Sequence, residues 1–229
     1  MAAAKKITRK ELLKEPDEFL TLSSRFLGWA ARNRKQINYA VSAVLAVAVL
    51  GSGYFYYSGR REAAAGVAFG QALAKYDRLA AGDKAKAAKD VAADFRELID
   101  EYGGTSNGRM ASLVYADICY QAGDFAQAAA LYKSCLDRFD DQPLIHFQIL
   151  KSLGYSYEGL KDPAAALPYF ERALAATGEK NMQDDLLFQI GDLYARLGNK
   201  DKSEETFKRL LTDFSDSPYT NLVRQRVGG

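Results

Sequence analysis

The chain has 229 residues, enough for one or two domains, with 48% hydrophobic and 26% charged residues, the balance of an ordinary folded protein. Its 31 Lys/Arg and 29 Asp/Glu are unevenly spread: residues 1–35 carry nine and four, whereas residues 60–229 carry 22 and 25. The larger part is therefore slightly acidic and offers no nucleic-acid surface. A single histidine, His146, with no Cys-x-x-Cys near it, excludes a self-contained zinc centre.

In the basic tail, Phe19, Leu22, Phe26 and Trp29 recur at three- and four-residue spacing after Pro16, with Arg25, Arg32 and Arg34 around them. This is the pattern of an amphipathic helix. Three readings stay open: a helix lying on the lipid surface, a plain extension of the segment that follows, or a helix docked on a partner.

Residues 36–59 contain no charged side chain. As a helix these 24 positions span about 36 Å, enough to cross a hydrocarbon core of roughly 30 Å. Tyr39 near one end and Tyr54, Phe55, Tyr56 and Tyr57 at the other match interfacial aromatic belts and argue against a buried core helix. Arg25, Arg32, Arg34 and Lys35 precede the window with no acid among residues 21–35. The positive-inside rule then predicts a cytoplasmic N-terminus and a domain across the membrane, which in a bacterial inner membrane is the periplasm. Ala63-Ala64-Ala65 resembles a cleavage site. The 35 residues before the window, and the window's length, instead predict an uncleaved anchor.

Beyond residue 60 the pattern is helical throughout. An aromatic-headed motif recurs as Phe95-Arg96-Glu97-Leu98, Tyr132-Lys133-Ser134-Cys135, Phe170-Glu171-Arg172-Ala173 and Phe207-Lys208-Arg209-Leu210, spaced 37, 38 and 37 apart. Fixed periods of this size predict stacked supersecondary units. Leu153-Gly154, Tyr157, Ala166, Phe170 and Ala173 are echoed by Ile190-Gly191, Tyr194, Gly198, Ser203 and Phe207, and by Tyr115-Ala116, Gly123, Ala128 and Tyr132. Gly123-Asp124, Asp162-Pro163 and Gly198-Asn199 read as the turns between paired helices, with Asp162 capping and Pro163 at the first helical position. Ser217-Pro218 reads as the start of a last short helix ended by Gly228-Gly229.

These residues resemble the tetratricopeptide repeat (TPR) over about residues 109–217, and less well over 62–104, where Phe95, Leu98 and Tyr102 alone keep register. The resemblance implies an all-α fold: a right-handed TPR-type helical solenoid (residues 60–229) preceded by one transmembrane helix (36–59) and a basic cytoplasmic tail (1–35). Gly154 and Ala166 would let paired backbones approach and Phe170 would fill the space between them. The order of tail, anchor and repeat domain is similar to the YfgM-like family. That likeness implies a partner role at the Sec translocon with periplasmic chaperones.

The repeat pattern projects Leu113, Asp117 and Tyr120, then Gln148, Lys151, Tyr155 and Glu158, then Phe188, Asp192 and Arg196 onto the concave side. Lys151 and Arg196 are expected there as solvent-exposed charges. Such a surface suits protein or peptide segments. The sequence carries no phosphate-binding glycine loop and no Gly-x-Ser-x-Gly elbow. No catalytic residue, metal or cofactor is expected, and the protein is read as a non-enzymatic scaffold. Two other readings stay open: an adaptor for cell-wall synthesis or secretion machinery, and a catalytic subunit with a site not visible in the sequence. Cys119 and Cys135 are either two packed thiols or a disulfide.

Overall fold

Four short turns organise the repeat region, and each ends in a residue that caps the next helix. We describe them from a computed structural model, in which residues 18–176 and 182–227 are described. The Asp83 side chain accepts from the backbone of Ala85 (2.8 Å) and Lys86 (3.1 Å), Asp124 from Gln127 (3.1 Å), Asp162 from Ala165 (3.0 Å) and Asn199 from Lys202 (3.3 Å). Each cap satisfies helix N–H groups that have no intrahelical partner. In three of the turns the residue before the cap is left-handed: Gly123 (φ 81°), Lys161 (φ 59°) and Gly198 (φ 79°).

The described residues form α1 (Glu18–Arg32), α2 (Arg34–Ala80), α3 (Lys84–Tyr102), α4 (Ser106–Gln121), α5 (Phe125–Cys135), α6 (Pro143–Gly159), α7 (Pro163–Ala176), α8 (Gln183–Arg196), α9 (Lys200–Asp213) and α10 (Thr220–Val227). The chain divides into two compact units, residues 1–58 and 59–229.

In the first unit, α1 and the start of α2 are separated at Asn33, whose side-chain amide donates to the Trp29 carbonyl (3.0 Å). Phe26 and Trp29 face one another at 6.0 Å between ring centroids. The side chains of Phe19 and Leu22, and all of residues 1–17, lie outside the described residues. α2 is long and apolar enough to cross a membrane, and none of its most apolar stretch is buried against the protein. The helix does not stop at Gly59, where the charge-free window ends; it continues to Ala80.

In the second unit, α2 from Gly59 onward packs on α3 through Phe69–Phe95 and Lys75–Asp94, and α4 pairs with α5, α6 with α7 and α8 with α9. One core of buried side chains runs from Ala72 and Tyr76 through Phe95, Tyr115, Tyr132, Leu150 and Phe170 to Leu193. A smaller cluster of Leu187, Phe207, Leu210 and Val223 closes the C-terminal end. The helical hairpins repeat one internal geometry. A Cβ placed on Gly154 would lie 2.6 Å from the Phe170 ring, and one on Gly191 would lie 2.5 Å from the Phe207 ring. Ala116 and Tyr132 take the equivalent places in the hairpin before, both buried.

The first hairpin departs from the others by a helical turn. Eight residues separate cap from aromatic in Asp124–Tyr132, Asp162–Phe170 and Asn199–Phe207, but twelve separate Asp83 from Phe95. The extra four residues keep Phe95 on the same helix face, where it stacks on Tyr115 at 5.0 Å. The residues that match on the other side of the turn are displaced, which is why 62–104 looks degenerate in sequence. Glu62 on α2 also caps α4: its carboxylate accepts from the backbone of Ser106 (2.8 Å) and Asn107 (2.8 Å).

The last helix runs from Thr220, and Ser217 leads into it: its hydroxyl accepts from the Tyr219 N–H (3.3 Å) and donates to Asp184 of α8 (2.7 Å). Gly228 and Gly229 lie outside the described residues.

Candidate binding face

The first helices of successive hairpins, α4, α6 and α8, present the residues projected onto the concave side. These residues do not form a row of free side chains. They divide into an apolar groove and a polar network.

The groove brings together Leu113, Gln148 and Lys151 from the projected set with Leu144, Ile145, Phe147, Met182 and Asp185, around a volume of about 520 Å³. Leu144 is 70% exposed although it is a large apolar side chain on the first turn of α6. Gln148 is exposed one turn further on.

The network centres on Asp185, a residue that the projection left out. The Lys151 ammonium lies 3.0 Å from its carboxylate, the Tyr155 hydroxyl donates to the same oxygen (2.9 Å), and the Tyr219 hydroxyl donates to the other (3.1 Å). Burial opposes ionisation of Asp185, but the hydrogen bonds of Lys151 and Tyr155, with the Lys151 charge and Tyr219, hold its carboxyl below the ordinary range. Burial, followed by the Asp185 charge, pushes the Tyr155 phenol up. The signal for Asp185 was present in the sequence: it precedes Phe188 by three and Asp192 by seven, on the same helical stripe.

A second set of ion pairs runs beside it. Arg196 bridges to Glu158 on the neighbouring hairpin (2.7 Å) and to Asp192 one turn back (3.7 Å), and Asp192 also pairs with Arg226 of α10. Arg196 is solvent-exposed, as expected from sequence, yet paired; Lys151 is less exposed than expected. The Lys151 side chain is only 21% exposed. Both side chains tie hairpin to hairpin, because adjacent first helices bring opposite charges into register.

Phe188 differs from expectation as well. α10 and the residue before it lie over Phe188: Tyr219 stacks on its ring at 4.6 Å and the Arg226 guanidinium of α10 sits 5.3 Å from its centre. At the other end of the projected set, Tyr120 packs edge-on against Phe125 at 5.3 Å. Asp117 accepts from the Tyr132 hydroxyl, and crowding by the surrounding helices raises its pKa although the residue reaches solvent. Open positions on the face include Leu144 and Gln148, with Leu113 half-buried between the helices, and Asp117.

The remaining reactive groups are in structural positions. Cys119 and Cys135 are free, buried thiols, and burial pushes the Cys119 thiol up to about 11, away from nucleophilic thiolate. The Nδ1 atom of His146 is buried without a hydrogen-bond partner among the described residues. Among the described residues no group of His, Cys, Asp and Glu is arranged to hold a metal ion.

Capped antiparallel hairpins, with a small residue on one helix facing an aromatic ring on the next, define a helical-repeat protein of tetratricopeptide type. The chain belongs to the tetratricopeptide repeat-like domain family, whose profile matches residues 28–227. Among solved structures it is similar to the crystal structure of BtubC (BKLC) from P. vanneervenii, at 16% identity, over 75% of this chain and 84% of that one, with a TM-score of 0.48. It is also similar to pilF of Pseudomonas aeruginosa, at 12% identity, over 73% of this chain and 84% of that one, with a TM-score of 0.44. No curated protein matches the sequence. A repeat fold of this type ordinarily serves as a protein-interaction scaffold.

Proposed function

We propose that this protein is a membrane-anchored, non-enzymatic scaffold that holds a polypeptide segment of a partner or client against the face of α4, α6 and α8. The observation that carries the reading is the groove of Leu113, Leu144 and Gln148, mostly apolar and open to solvent, which ends at the Lys151–Asp185 pair. A groove of this kind takes an apolar side chain from an extended or helical segment, with Gln148 and Lys151 at its edge for backbone groups.

The anchor is the charge-free stretch of residues 36–59 within α2, which crosses the bacterial inner membrane once. The N-terminus is cytoplasmic and the repeat domain (60–229) periplasmic, as the basic residues before the stretch favour. The similarity of this organisation to YfgM-like proteins supports a place at the Sec translocon beside periplasmic chaperones.

A photoreactive residue at Gln148, in intact membranes, tests the binding face. Adducts with translocon or chaperone polypeptides are expected. Adducts with cell-wall or secretion machinery would transfer the scaffold to that complex, and their absence at Gln148 would remove the groove as the binding face. Orientation is read separately with a cysteine at Leu160, in a chain lacking Cys119 and Cys135. Labelling by an impermeant reagent in spheroplasts is expected, and labelling only after lysis reverses the topology.

A further inference from the structure

The first unit carries a surface that the scaffold reading does not use. α1 shows Phe26 (64% exposed), Leu27 (66%) and Trp29 (52%) to solvent, although each is a large apolar side chain. Phe26 and Trp29 pack ring to ring at 6.0 Å and so form one continuous patch. At about 100° per residue, Arg25 and Arg32 fall on a shared edge of the helix beside Trp29. Arg34 and Lys35 follow immediately. No Asp or Glu occurs between Glu18 and Glu62, a run of 43 residues. An apolar patch edged by guanidinium groups, in a stretch with no acid, matches a surface that is apolar below and anionic above. A docked protein would present carboxylates against a stripe of mixed polarity; a lipid leaflet presents phosphates over acyl chains along the whole helix. α1 is also contiguous with the charge-free stretch of α2, which delivers it to the headgroup level.

We propose that α1 is an anionic-lipid-binding helix: it lies in the headgroup region, with Phe26 and Trp29 among the upper acyl chains and Arg25, Arg32, Arg34 and Lys35 on lipid phosphates. This rests on the anchor reading, because residues 36–59 hold α1 at the leaflet. Long basic side chains reach outward from an apolar helix face to do this. The interaction makes the tail a sensor of leaflet charge.

Trp29 is the only tryptophan in the chain, so the fluorescence of the whole protein reports on α1. The full chain is reconstituted into vesicles of phosphatidylcholine alone and of phosphatidylcholine with 30% phosphatidylglycerol. Flotation and resistance to alkaline extraction in neutral vesicles read the anchor by itself; loss of both overturns the anchor. The charge dependence of Trp29 reads α1 by itself. In anionic vesicles its emission moves to the blue, bromolipids labelled near the headgroup quench it, and aqueous iodide does not. Each basic residue near an anionic surface favours it on the order of fivefold. Arg25→Glu with Arg32→Glu therefore lowers the equilibrium constant for embedding Trp29 in the lipid by at least about tenfold. Trp29 emission that is the same in both vesicle types, and unmoved by the double substitution, overturns the proposal. Trp29 shielded in native membranes but water-exposed in anionic vesicles also overturns it, in favour of a protein partner.

Discussion

Gly154 lies directly beneath Phe170: a Cβ on the glycine would stand 2.6 Å from the ring, inside any permissible contact. Both residues are buried, and Tyr155, next in the chain to Gly154, also meets the Phe170 ring edge-on at 5.0 Å. The third hairpin therefore closes only because one backbone is bare where the opposing ring arrives.

Gly154→Ala is expected to destabilise the repeat domain by about 1–3 kcal/mol through overpacking. Phe170→Leu alone also destabilises, through lost packing. The double substitution should cost less than the two added together, since the smaller side chain vacates the space that the new methyl needs. Chemical denaturation of all three variants checks this. Strict additivity would mean that the two residues do not share the contact.

Lys161 holds φ at 59°, where the equivalent turns use Gly123 and Gly198. A side chain in this region strains the backbone. Lys161→Gly is expected to raise stability by about 0.5–1 kcal/mol despite the greater freedom of the unfolded glycine. A lower denaturation midpoint would show that the lysine is stabilised there by contacts that outweigh its strain.

Asp185 and Asp117 should titrate in opposite directions. The pKa of Asp185 is lowered, against the effect of burial, by Lys151 and Tyr155. Its contribution to stability is complete above the unfolded value of about 3.9 and disappears as pH falls through the lower folded value. The pKa of Asp117 is raised by desolvation, only partly offset by the Tyr132 hydroxyl. Stability lost to its ionisation is therefore regained as pH falls from the raised folded value toward about 3.9. Carboxyl NMR titration of the detergent-solubilised chain resolves both, and an Asp117 midpoint below that of Asp185 would contradict the described geometry.

Charge reversal and groove substitution should separate stability from binding. Lys151→Glu places two carboxylates together at Asp185 and is expected to cost about 1–3 kcal/mol. Leu144→Glu and Gln148→Arg alter exposed groove positions and should change stability by about 0.5 kcal/mol or less. They should nevertheless abolish crosslinking or capture through the groove. Binding that survives both groove substitutions, with the fold intact by melting, would place the partner elsewhere.

The hairpins and their register were legible in the sequence because their determinants are local. An Asp or Asn cap, a Gly or Lys before it and an aromatic eight residues later lie within about two and a half helical turns, so their spacing alone predicts the pairs around Asp124, Asp162 and Asn199. The apolar stretch of residues 36–59 was legible for the same reason. What only the tertiary structure decided depends on groups 30 to 45 residues apart. Asp185 draws in Lys151, Tyr155 and Tyr219; Arg196 reaches Glu158; α10 covers Phe188; and Glu62 caps α4. Helical periodicity places a side chain on a face, but whether that face meets solvent or an opposite charge is set by the neighbouring hairpin. For that reason Arg196 is exposed as its spacing predicts, while the half-buried position of Lys151 beside Asp185 and the cover over Phe188 could not be read from periodicity.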